Sequence, residues 1–112
     1  MNATNIATFA ALAEPTRLSI VDMLARRGEL SASDISNVFT SSPPAISQHL
    51  KVLREAGLVT VQKRAQQRIY RLEPASMVEA QQWLSGRLAQ WNTRLDAMEA
   101  YISNQKERTI ND

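Results

Sequence analysis

The stretch Ser41–Val59, SSPPAISQHLKVLREAGLV, sets two prolines in front of a run with helical spacing. Ile46, Leu50 and Leu53 stand at i, i+4 and i+7 and form a core-facing stripe, while Ser47, Gln48, Lys51 and Arg54 project elsewhere. Gly57 suits a left-handed helix stop. Proline is tolerated in a first helical turn, where amides have no intrahelical partner to lose. Because Pro44 disfavours helical dihedrals at Pro43, the helix is expected to begin at Pro44 or Ala45. Ser42 would cap it only if it started at Pro43. The result is a short helix with an abrupt start and a polar, cationic face.

Downstream, LVTVQKRAQQRIYRL reads as two β-prone arms, Leu58–Gln62 and Arg68–Leu72, around a polar tip, and Pro74 closes the second arm. No glycine marks the tip, so the turn is inferred from the symmetry of the arms. Upstream, SASD at Ser31–Asp34 has the form of a capping box. Ile35, Val38 and Phe39 give the short helix behind it an apolar face. Before that, Leu18, Val21, Leu24 and Ala25 make the buried stripe of a helix entered at Pro15 and ended at Gly28. Ile6, Phe9, Ala10 and Ala13 recur at helical spacing near the start of the chain. Two helices joined by a few turn residues and followed by a cationic hairpin give the order of a winged helix-turn-helix. The fold class is therefore mainly α with a β-hairpin wing, five helices in all. The third helix braces. The fourth enters a major groove with its N-terminal residues leading, which is what a sharp start serves.

At 112 residues, the chain is expected to form one domain, residues 1–112, around one modest core. No run of about 18 apolar residues is present to span a membrane, and the first residues lack the basic start of a signal peptide. With no cysteine, this composition points to a cytoplasmic protein. Disulfides, thiolate metal sites and a cysteine nucleophile are excluded, and His49 is the single histidine. No nucleophile–base pair, metal set or glycine-rich phosphate loop is visible, so neither an enzyme nor a cofactor is expected. Between Pro43 and Leu72 the cations Lys51, Arg54, Lys63, Arg64, Arg68 and Arg71 face Glu55 alone, although the whole chain carries only +2. Such a segment suits a polyanionic partner or, equally on charge alone, a solvated cationic face; with the winged-helix order the partner would be double-stranded DNA.

ALAEPTRLSIVDMLARRGELSASDIS followed by ISQHLKVLREAGLV resembles the ArsR/SmtB family of bacterial winged-helix repressors, over roughly Phe9 to Leu72. The resemblance implies a homodimer that binds an imperfect inverted repeat and releases it on sensing an inducer. The family's third helix often carries a Cys-x-Cys metal box. Here Ser31 and Ser33 occupy those places, and the last helix has no histidine for the alternative site. The chain looks like the non-metal-sensing branch, its inducer a small molecule or protein if it has one. Ser47 and Gln48 fall at positions that touch base edges in the family, and glutamine can pair bidentately with adenine. Pro44 and Ala45 lead the helix. Pro43 and Pro44 replace polar residues there; they cannot donate a hydrogen bond, but suit a thymine methyl. Lys51, Arg54, Lys63, Arg64 and Arg68 read as phosphate contacts, and Gln66 and Gln67 as tip residues facing a minor groove. His49 has two readings, a phosphate contact or the partner of a neighbouring backbone group. Arg17, in EPTR, reads as a structural ion-pair partner.

Leu84, Leu88, Trp91, Leu95, Met98 and Ile102 are spaced 4, 3, 4, 3, 4, a heptad seam on a long C-terminal helix over residues 75–104. A domain this small cannot bury such a seam unless something packs on it. A second copy is the simplest partner, with Ile6 and Phe9 of the first helix beside it; the alternative is a helix folded back on its own core. The helix also resembles that of ArsR-type regulators found beside genes for small lipid- or hydrophobe-binding proteins. The function expected is a homodimeric, sequence-specific transcriptional repressor or autorepressor. The alternative is a winged-helix protein-interaction module whose DNA affinity is weak and sequence-blind.

Overall fold

A computed structural model describes the backbone of residues 1–111 and the side chains of residues 1–108. The elements are α1 (Ala3–Leu12), α2 (Pro15–Arg27), β1 (Leu30–Ser31), α3 (Ala32–Ser36), α4 (Pro43–Glu55), β2 (Val59–Arg64), β3 (Gln67–Leu72) and α5 (Ala75–Asn111). They divide into a compact unit, Met1–Ala80, and a second unit beginning at Gln81.

Side-chain caps set where the helices of the first unit begin. The Asn2 side chain accepts from the Asn5 amide, and the Glu14 carboxylate accepts from the Arg17 amide with Pro15 in the first turn of α2. The capping box at α3 is complete: Ser31 Oγ accepts from the Asp34 amide at 3.0 Å, and the Asp34 carboxylate accepts from the Ser31 amide at 3.3 Å. Contrary to the later start expected from the Pro-Pro sequence, α4 begins at Pro43. Ser42 is its N-cap, with Oγ accepting from the Ala45 amide at 3.3 Å, and a cap of this kind, typically worth about 1 kcal/mol, offsets the bias against helical dihedrals before proline. Gly57 ends the helix with φ 76°, and a Cβ there would lie 2.9 Å from Ser76 Oγ, so a bare glycine is needed for the first turn of α5 to approach.

The core is built from Ile20, Val21 and Leu24 of α2, Ile35 of α3, Ile46, Leu50 and Leu53 of α4, and Leu58, Val59 and Tyr70 of the hairpin. The α4 stripe is buried as its spacing requires. The α2 stripe is rotated: Leu18 is 53% exposed and Ala25 is also exposed, while Ile20 and Met23 point inward. This helix packs on both β3 and α4, and those contacts choose the face. Val38 is likewise exposed, because α3 ends at Ser36 and Val38 belongs to the connection beyond it. In α1 the buried residues are Asn5, Thr8 and Ala11, whereas Ile6 is exposed and Phe9 half-buried.

The sheet is antiparallel in the order β1-β3-β2. Leu30 pairs with Tyr70 in a short third strand that no local pattern signals, and the hairpin runs in register from Val59↔Leu72 to Arg64↔Gln67. Both arms are longer than expected and the tip is just Ala65–Gln66, so Gln67 is a strand residue. Ala65 takes φ 54°, a left-handed value that costs a non-glycine residue energy.

In the second unit, Leu84, Leu88, Trp91, Leu95, Met98 and Ile102 are all exposed, Leu95 least at 42%. The helix continues past residue 104 to Asn111. No helix among the described residues is long and apolar enough to cross a membrane.

Candidate nucleic-acid interface

Burying Ile46, Leu50 and Leu53 fixes which way α4 faces. Ser47, Gln48, Lys51 and Arg54 are left exposed on its outer side, beside the exposed rings of Pro43 and Pro44. Glutamine and serine here can donate to and accept from base edges, and the two cations flank them. The start of the helix is chemically closed. Pro43 and Pro44 have no amide hydrogen, the Ala45 amide is taken by Ser42 Oγ, and the Ile46 amide by Ser42 O at 3.1 Å. Phosphate binding through first-turn amides, common at helix N-termini, is therefore not open to α4. Ala45 is half-buried and offers no more than its methyl group.

Alternation along the hairpin sorts the wing's cations onto two faces. Lys63 and Arg68 are directly opposite each other in the ladder, on the side that further along carries Val59, Val61, Tyr70 and Leu72. Like charges set across a strand pair repel, and no acid pairs with either among the described residues. An anion between them would relieve the repulsion. Arg64 and Arg71 lie on the other face and share Glu29: Arg64 donates to both carboxylate oxygens, at 2.8 and 3.1 Å, and Arg71 Nη1 is 3.7 Å away. The hydrogen bonds from Arg64 hold the Glu29 carboxyl below the usual glutamate range, and the same pairing raises the Arg64 guanidinium. The sequence suggests a phosphate contact for Arg64, yet its charge is already matched by Glu29 within the chain. Gln66 is exposed at the tip and Gln67 is exposed at the start of β3.

His49 is half-buried and turned toward α2, its Nδ1 lying 3.3 Å from Arg17 Nη1 and 3.7 Å from Glu14 Oε2. The Glu14 carboxyl is held below its ordinary range, chiefly by the hydrogen bond from the Arg17 amide. Of the metal-box positions, Ser31 is 5% exposed and committed to capping α3. Among the described residues, no group of three or more His, Cys, Asp or Glu side chains could hold a metal ion.

A family model described as "Bacterial regulatory protein, arsR family" matches residues 14–61, which run from the cap of α2 into β2. The chain is 44% identical over 69 residues to the arsenical resistance operon repressor of Escherichia coli (strain K12), covering 62% of this chain and 59% of that protein. To the transcriptional repressor SdpR of Bacillus subtilis (strain 168) it is 33% identical over 76 residues, 68% of this chain and 83% of the other. Among solved structures, the ArsR-like transcriptional regulator from Rhodococcus sp. RHA1 superposes with a TM-score of 0.80 at 31% identity, covering 91% of this chain and 93% of that one. The chain thus spans about three-fifths of the Escherichia coli repressor but most of the other two. With the brace–reader–wing order and the matched core in agreement, the chain belongs to the ArsR family of bacterial regulatory proteins.

Proposed function

We propose that the chain is a homodimeric transcriptional repressor that binds double-stranded DNA at an inverted repeat, rather than an enzyme. The observation that carries this reading is the pairing of an exposed Ser47–Gln48–Lys51–Arg54 face on α4 with the unneutralised Lys63–Arg68 pair on the wing. The first supplies base-edge chemistry and the second backbone chemistry, the division of labour of a DNA-reading protein. Relatives named as repressors support the same assignment.

Two-fold symmetry is required because recognition helices must meet major grooves about 34–36 Å apart. We assign the contact to the seam from Leu84 to Ile102 and, on α1, to Ile6 and Phe9. Burying each large apolar side chain of the seam contributes about 1.5–3 kcal/mol, and soluble monomers rarely leave such a strip in water. The protein works in the cytoplasm. Three of the relatives are named for arsenic or arsenical resistance, but this chain has no thiol to bind arsenite, and Ser31 is occupied as a helix cap. Its signal is a small molecule, a partner protein or its own concentration, not a metal.

The test is selection from a random duplex pool by the purified protein. Enrichment of an inverted repeat with half-sites about one helical turn apart is expected. A pool that stays random, with equal weak binding to every duplex, would leave a protein-interaction module as the better reading.

A further inference from the structure

Arg17, expected from the sequence to be an ion-pair partner, turns its guanidinium to backbone carbonyls and a histidine instead. Its Nε donates to Ala11 O at 2.7 Å and its Nη2 to Ala10 O at 3.4 Å, so the guanidinium caps carbonyls at the C-terminal end of α1. Its amide is held by Glu14 at 2.9 Å. The remaining arm, Nη1, lies 3.3 Å from Nδ1 of His49 on α4. A guanidinium has no acceptor, so in this contact His49 Nδ1 must accept, which puts the imidazole proton on Nε2. A single planar fork therefore joins α1, α2 and α4.

Resting on the DNA-reading assignment above, we propose that Arg17 and His49 are a positioning pair: they set the rotation of the reading helix about its own axis and tie it to α1. The apolar contacts of Ile46, Leu50 and Leu53 hold α4 against the core but are non-directional. His49 carries the directional bond, and it adjoins Gln48, so a small rotation of α4 moves Gln48 directly. Because α1 is one of the elements assigned to the dimer contact, the pair also links that contact to the reading face.

The probe is the duplex enriched by the wild-type protein, and the variants are His49→Ala, Arg17→Ala, the double variant and His49→Asn. Each single alanine variant lowers affinity for that duplex about tenfold, the double variant loses no more than the worse single one, and the salt dependence is unchanged. His49→Asn restores most of the affinity, since its Oδ1 stands where Nδ1 does and can accept from Arg17. A flattening of log K against log salt by about 0.9 per subunit in His49→Ala would make His49 a phosphate contact and overturn the proposal. So would additive losses, or an asparagine variant no better than alanine. A second measurement needs no DNA: the ¹⁵N shift of Nδ1 is expected to show an unprotonated nitrogen accepting a hydrogen bond in the wild type, and to move to the value of a free acceptor in Arg17→Ala. The opposite tautomer in the wild type rejects the pair itself, whereas an intact pair in a protein that enriches no duplex rejects the DNA reading and the positioning role together.

Discussion

Lys63→Ala and Arg64→Ala remove neighbouring cations from the same strand, yet they should behave differently. Lys63 faces Arg68 across the ladder with no acid paired to either among the described residues, whereas Arg64 is held by both oxygens of Glu29. Each neutralised phosphate adds about 0.9 to the slope of log K against log salt, so one Lys63 contact on each wing of a dimer adds about 1.8. Between 50 and 200 mM salt, a fourfold rise, that amounts to about a tenfold loss of affinity that the Lys63→Ala dimer would no longer suffer. Arg64→Ala should leave the slope unchanged, because engaging a phosphate there requires giving up the bidentate pair first. Fluorescence anisotropy of a labelled operator duplex over a potassium chloride series measures both. If Arg64→Ala flattened the slope as much as Lys63→Ala, the division of the wing into a free and a neutralised face would be wrong.

Leu95→Asp, at the least exposed position of the seam, should shift sedimentation toward monomer and weaken operator binding with no DNA-facing residue changed; a fully dimeric variant with normal binding would refute the seam. Ala65→Gly should raise stability by about 0.5–1 kcal/mol, since relief of the left-handed strain exceeds the entropy that glycine adds, read as a small rise in thermal midpoint. Zinc, copper or arsenite titrated into the DNA complex at micromolar levels should leave it intact, and stoichiometric release by any of them would contradict the non-metal assignment.

Local rules made most of the reading unit legible. The α4 stripe, the α3 capping box and the Gly57 stop each rest on residues within a turn of one another, and the structure keeps all three. What failed depended on distant partners. Two stripes compete on α2, and packing against β3 and α4 chose the one through Ile20 and Met23 over the one through Leu18 and Ala25. Strand β1 is two residues long and exists because Tyr70 and Ile69 pair with it. The buried face of α1 holds Asn5 and Thr8, which no hydrophobic pattern selects. For the site, Ser47, Gln48, Lys51 and Arg54 were readable from helical spacing alone. The partners of Arg64 and His49 were not, because Glu29 and Arg17 lie 35 and 32 residues away in sequence.

That α4 reads DNA through its outer face is tested most directly by repeating the duplex selection with Gln48→Ala. The variant should lose about 1–3 kcal/mol on the wild-type operator and accept several bases at one position of each half-site, with the rest of the repeat kept. An unchanged operator bound with unchanged affinity would mean that a different surface reads the sequence.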